Sequence, residues 1–144
     1  MALIKILHIL FAFSILGTNP GTEPEKVNEI ILEIDNISTG TGYVMVAVYN
    51  CEDDFLSDRI YYKARIKAEG RKSQSHRLQL PSGEYAIAVY QDINSDNILN
   101  KTFLGIPKEP YGFSGKPYIK FRPPYWSDTA LRIDKDERIS ISID

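Results

Sequence analysis

Apolar side chains recur at every second position in run after run of this chain, a period that suits strands and not helices. The clearest run is Arg59 to Ala68, with Ile60, Tyr62, Ala64, Ile66 and Ala68 on one face and Arg59, Tyr61, Lys63, Arg65 and Lys67 on the other. Ile30, Leu32 and Ile34 alternate with Glu29, Glu33 and Asp35, broken only by Ile31, before Gly40-Thr41-Gly42 ends the run. Tyr43 to Tyr49 is apolar on both faces, which fits a central strand covered on each side or one whose aromatic face meets solvent. Leu78 and Leu80 mark a short strand that Pro81-Ser82-Gly83 turns into Glu84 to Gln91. Late strands follow around Leu131 and Ile133, then at Ile139, Ile141 and Ile143. About seven short strands with turn signals between them predict an all-β chain, an antiparallel β-sandwich, with a barrel as the alternative.

A stretch of another kind lies at the start. Lys5 precedes the apolar run Ile6 to Phe13, and small or turn-forming residues from Ser14 to Gly21 follow it. That order predicts a secretory signal over residues 1–18, since the apolar core is shorter than the about 20 residues a bilayer span needs. A polar tether over 19–26 and one β-sandwich domain over 27–144 complete the expected organisation. No cysteine stands just after Leu16-Gly17 to carry an acyl anchor, so the mature chain is expected not to span the membrane and to reside in the periplasm or outside the cell. With Lys5 removed, 16 of 17 basic residues face 19 acidic ones, a net charge of −3 that gives nucleic-acid binding no support. Cys51 is the single cysteine, so export here does not bring an internal disulfide.

From Asp92 to Ser127 the strand rhythm stops for 36 residues, save scraps at Phe103-Leu104 and Tyr118 to Phe121. Loops of that length in a small domain are functional or disordered. Seven large aromatics (Phe103, Tyr111, Phe113, Tyr118, Phe121, Tyr125, Trp126) are unlike a disordered linker and predict an ordered flap packed over the sandwich.

The block Leu80-Pro-Ser-Gly-Glu-Tyr-Ala-Ile-Ala-Val-Tyr-Gln-Asp-Ile-Asn-Ser-Asp-Asn-Ile-Leu-Asn, followed by Phe103-Leu-Gly-Ile-Pro-Lys-Glu-Pro-Tyr-Gly-Phe-Ser114, resembles the exported bacterial family called domain of unknown function 2141. Its centre is a G-x-Y-A strand, a D-x-N-x-D loop and G-I-P-x-E-x-Y-G-F-S, within a likeness running from Ile30 to Ile143. Pro110 stands where the family commonly has Gly, and Asn97 and Asn100 replace its usual Gly and acidic residue. The resemblance implies export and a prealbumin-like sandwich, and it implies no reaction.

Asp92, Asn94, Asp96 and Asn100 form the first candidate site. Alternate Asp and Asn in a tight loop can supply several of the six to eight oxygens that calcium wants. Against the EF-hand pattern, positions 1, 3, 5 and 9 are filled, Asn97 replaces the Gly at 6, and Phe103 stands where the bidentate Glu belongs. The alternative is a structural turn in which Asp and Asn bond their own backbone. Tyr111, Phe113, Tyr125 and Trp126 form the second candidate, a platform for a sugar ring or peptide, against the alternative that these rings simply cover the end of the sandwich. The outward row Arg59, Lys63, Arg65 and Lys67 fits a polyanion or a solvated edge strand.

Catalytic chemistry has few carriers. Past the signal, His76 is the one histidine, set in the polar stretch Ser73 to Arg77 that reads as a turn, so common zinc sites and Ser-His-Asp triads lack ligands. The expected function is therefore a non-catalytic envelope module that binds a glycan, protein or other ligand. A carboxylate-based hydrolase of envelope glycans and a purely structural envelope protein are the alternatives. With strands alternating in direction, the acidic loop Glu52 to Asp58 and the Asp92 loop are expected at opposite ends.

Overall fold

A computed structural model describes residues 25–38, 42–115, 117 and 122–144. The expected signal over 1–18, residues 19–24 of the tether, Gly40-Thr41 and the strand scrap Tyr118 to Phe121 lie outside the described residues. Among the described residues, eight strands form two sheets: β1 (Val27–Asp35), β2 (Tyr43–Tyr49), β3 (Tyr62–Lys67), β4 (Ser73–Pro81), β5 (Gly83–Asp92), β6 (Tyr111–Phe113), β7 (Leu131–Ile133) and β8 (Glu137–Ser142). A short α-helix, α1 (Trp126–Thr129), precedes β7, and a 3-10 turn, Glu52–Asp54, follows β2. The first sheet is ordered β4-β1-β8 and the second β3-β2-β5-β6, with β7 pairing the first residues of β5.

The expected sandwich is present, with one departure. All pairs are antiparallel except β1 with β8, which run parallel from Ile30↔Glu137 to Asp35↔Ser142. Parallel neighbours need a long crossover, and here all of the second sheet lies between them in the chain.

Period two does its work in the core. Ile30, Leu32 and Ile34 of β1 and Ile141 of β8 are fully buried against Val44, Val46, Val48, Ile87 and Val89 of the second sheet. Each such side chain contributes about 1.5–3 kcal/mol by leaving water. Ile31, the break in the pattern, points outward and is half-buried.

Three local readings are corrected. The stretch Ser73 to Arg77 is the first half of the nine-residue β4, paired with β1 so that His76 lies opposite Leu32. Serines and Arg77 take its outer face, while Gln74 and His76 are half-buried, so the polarity that read as a turn belongs to an edge strand. The Tyr62 hydroxyl meets His76 Nε2 at 2.7 Å, and burial pushes the imidazole pKa down. β3 starts at Tyr62, leaving Ile60 exposed in the preceding loop. The flap contains β6 and α1, each too short to leave a periodic trace.

The Tyr43 end of β2 pairs with Asp92, and the Tyr49 end pairs with Ala86. The loop after β2, where Arg59 ion-pairs with Asp54, therefore lies at the other end from the Asp92 loop, as strand parity predicts. Along one edge the two sheets meet: the Tyr111 and Asp144 backbones exchange hydrogen bonds of 3.1 Å each way. Gly112 permits that approach, because a Cβ there would stand 2.3 Å from the Ser142 carbonyl oxygen.

Candidate functional site

The Asp92 loop is closed by its own side chains. Asp92 is fully buried, and its carboxylate accepts the N–H of Asp96 at 3.1 Å and of Asn97 at 2.9 Å. Asn94 Oδ1 also accepts the Asp96 N–H at 3.2 Å, while its amide donates to Asp96 Oδ2 at 2.8 Å and to Asn100 Oδ1 at 2.9 Å. Asp96 then accepts the Ile98 N–H at 2.8 Å and the Asn100 amide at 3.0 Å. The Asp96 carboxylate is thus met by the amide nitrogens of Asn94 and Asn100, while the Asn94 oxygen takes the Asp96 backbone N–H. These bonds, from the Asn100 amide first, then the Ile98 N–H and Asn94, hold the Asp96 carboxyl below its usual pKa.

Two residues in this loop, Ser95 and Asn97, take φ of +64°. That left-handed conformation favours Gly and tolerates Asn, so Asn97 can stand where the EF-hand pattern has glycine.

Glu109, distant in sequence from Asp92, completes the loop. It is 7% exposed, and its two oxygens accept the N–H groups of Ile93 and Asn100 at 3.0 Å each. The Pro110 carbonyl accepts the Gln91 N–H at 2.8 Å, a role that costs nothing for a residue without an N–H of its own. Asp92 and Glu109 are thus the buried acids among the described residues, and both are committed to backbone donors. Also among the described residues, no three His, Cys, Asp or Glu side chains are grouped to hold a metal ion. The candidate donors Asp92, Asn94, Asp96 and Asn100 do converge on one loop, arranged as a self-bonded turn.

Tyr90 lies just before this loop, and burial, followed by the negative charges of Asp92, Glu109 and Asp96, pushes its phenol pKa up to about 12. A folded-state pKa above the unfolded value of about 10 favours the protonated, folded form. That contribution is fully present below pH ~10 and is lost as pH rises from there through ~12. Alkaline unfolding followed by phenolate absorbance should therefore show stability falling over that window, less so in Tyr90→Phe. Identical alkaline profiles would refute the assignment, with Tyr85, also raised to about 12, accounting for any remaining loss.

The aromatic candidates fall on the outer face of the second sheet and at its end. β6 pairs with β5 so that Tyr111 lies beside Tyr90 and Phe113 beside Ala88, with Gly112 turned inward. The Tyr111 and Phe113 rings meet edge-on, 5.9 Å between centroids. Across the sheet the register gives two rows, Arg65–Met45–Tyr90–Tyr111 and Lys63–Ala47–Ala88–Phe113, with Lys67 and Tyr43 beyond the first. Tyr43, Met45, Ala47, Ala88, Tyr90, Tyr111 and Phe113 are all half-buried. The aromatic face of Tyr43 to Tyr49 is thus the open one, and the Arg65 guanidinium lies 3.2 Å from the centre of the Tyr43 ring.

Trp126 stands apart from that pair. It packs edge-on against Phe55 at 5.9 Å, which in turn meets the buried Tyr49 at 5.6 Å. Tyr125 is 62% exposed and stacks under Arg122. Ser114 links α1 to the sheet, its hydroxyl donating to the Thr129 carbonyl at 2.7 Å and accepting the Ile87 N–H at 2.8 Å. Sequence reasoning grouped Tyr111, Phe113, Tyr125 and Trp126 by proximity in the chain and missed Tyr43, Met45 and Tyr90. Their signal was the double-sided apolar pattern of β2, for Tyr43 and Met45, and of β5, for Tyr90.

The expectation that the flap packs over the sandwich fails at Phe103. That residue is 96% exposed at the tip of a narrow hairpin, with Leu104 at 69% and Ile106 at 53%.

Neither the curated proteins nor the solved structures contain a match to this chain. The family described as "uncharacterized protein conserved in bacteria", domain of unknown function 2141, matches residues 32–141. From Leu32 in β1 to Ile141 in β8 the match takes in both sheets, the Asp92 loop and the Tyr111–Phe113 edge, and the chain belongs to that family.

Proposed function

We propose that this chain is an exported, non-catalytic envelope module that binds a ring-bearing ligand, a glycan, on the outer face of its second sheet. The observation that carries the reading is the row of half-buried Met45, Tyr90, Tyr111 and Phe113 around a floor of Ala47 and Ala88. Small residues between aromatics leave flat space in which a sugar ring can lie, and aromatic faces give large contact area at low entropy cost. The charged start and short apolar core before residue 20 support export.

The Asp92 loop serves this face as a brace. It fixes the end of β5 beside Tyr90 and, through Glu109 and Pro110, the start of β6. Calcium is not needed for that closure, since Asp92 and Glu109 already have backbone donors on their oxygens.

Titrating the protein with N-acetylated chito-oligosaccharides tests the reading. The amide signals of Met45, Ala88 and Phe113 should move together, and Phe113→Ala should weaken the response about tenfold, the worth of one lost ring contact. Shifts confined to other surfaces, or a response indifferent to Phe113→Ala, would remove this face from consideration.

A further inference from the structure

The hairpin beyond the Asp92 loop carries its apolar side chains outward and holds them there. Lys101 bridges to Pro107, Lys108 donates its N–H to the Asn100 carbonyl at 2.8 Å, and Thr102 and Ile106 pair at 2.8 Å. The Gly105 N–H closes the turn onto the Thr102 carbonyl at 2.9 Å, with Gly105 at φ +80°. Phe103, Leu104 and Ile106 thus project from a fixed support, with Phe103 almost wholly in water. Contiguous exposed apolar residues of this kind mark interaction sites.

The shape and the flanking charge select the partner. Three side chains on a convex tip offer far less than the about 800 Å² per partner of a stable protein interface. They suit insertion into the headgroup–acyl boundary of a bilayer, which apolar residues enter by about 5–10 Å. Lys101 and Lys108 stand two to four residues behind the tip on its two strands, about 7–13 Å along an extended chain. Both are exposed, and among the described residues neither pairs with a carboxylate. The acidic side chains Asp92, Asp96 and Glu109 lie further back, at the hairpin's base, bonded to loop N–H groups.

We propose that Phe103, Leu104 and Ile106 dock into a phospholipid surface, with Lys101 and Lys108 at the level of its headgroup phosphates. This contact is independent of the glycan face and can stand or fall without it.

The test uses the full chain carrying Phe103→Trp, with wild type, whose single tryptophan is Trp126, as baseline. Vesicles of phosphatidylethanolamine and phosphatidylglycerol with brominated acyl chains should shift the introduced indole's emission to the blue and quench it, beyond any change in wild type. Lys101→Gln with Lys108→Gln should lower partitioning about thirtyfold, as expected for two lysines near an anionic surface. Reading the indole at the tip separates this contact from any binding by the apolar N-terminal run. Emission unchanged by vesicles overturns the proposal and leaves the tip to a protein pocket. A blue shift without vesicles that grows with protein concentration overturns it in favour of a second copy.

Discussion

Gly42→Ala is expected to cost about 4 kcal/mol or more in urea denaturation, enough to leave much of the chain unfolded at ambient temperature. Gly42 holds φ at +82°, and a Cβ there would stand 1.9 Å from the carbonyl oxygen of Asp92, with Asp92 C and Ile93 Cα at 2.8 Å. These are backbone atoms at the junction of β5 with its loop, so they cannot swing aside as a side chain would. Gly70→Ala supplies the control. Gly70 has φ +69° but nothing within 4 Å of a Cβ, so only the conformational term of about 1–2 kcal/mol applies. Equal losses at the two positions would show that the backbone contact at Gly42 does not matter.

Asp92→Ala should cost about 3 kcal/mol, because two charge-assisted bonds vanish and the Asp96 and Asn97 N–H groups lose an acceptor at a partly buried site. Asp96→Ala, removing an exposed carboxylate, should cost well under that. Thermal melts of the parent protein with calcium and with chelator should coincide. A weak calcium site, with affinity of ~0.1–1 mM, would instead add ~0.4–1.4 kcal/mol at ~1 mM calcium. A midpoint that falls on chelation would show that the loop is a metal site after all, and an Asp92→Ala chain as stable as its parent would remove the brace.

The first prediction concerns a contact between residues far apart in the chain, Gly42 and Asp92, and that is where sequence reading stopped; the second concerns a loop whose turn chemistry the sequence already displayed. The alternation in β1, β3 and β8 was plain because it is a local property: each side chain's face follows from its neighbour's. β4 was half legible. Leu78 and Leu80 announced it, but Ser73, Ser75 and Arg77 face water at an edge, where polar residues are tolerated and the strand signal fades. β6 and α1 are three and four residues long, too short for any period to repeat. The aromatic face escaped because half of it comes from β2 and β5 and half from the flap, joined only by strand register.

By itself the sequence determined the sandwich, the position of the Asp92 loop at the end of β5, and the poverty of catalytic side chains. These follow from local periodicity, turn chemistry and counting. Only the tertiary structure decided that Glu109 closes the Asp92 loop, that Tyr43, Met45 and Tyr90 join Tyr111 and Phe113 on one open face, and that Phe103 points away from the body it was expected to cover. Register, the close approach of Gly42 to the end of β5 and that of the two sheets at Gly112 set those relations, and all depend on which strands find each other rather than on the order of residues within any one of them.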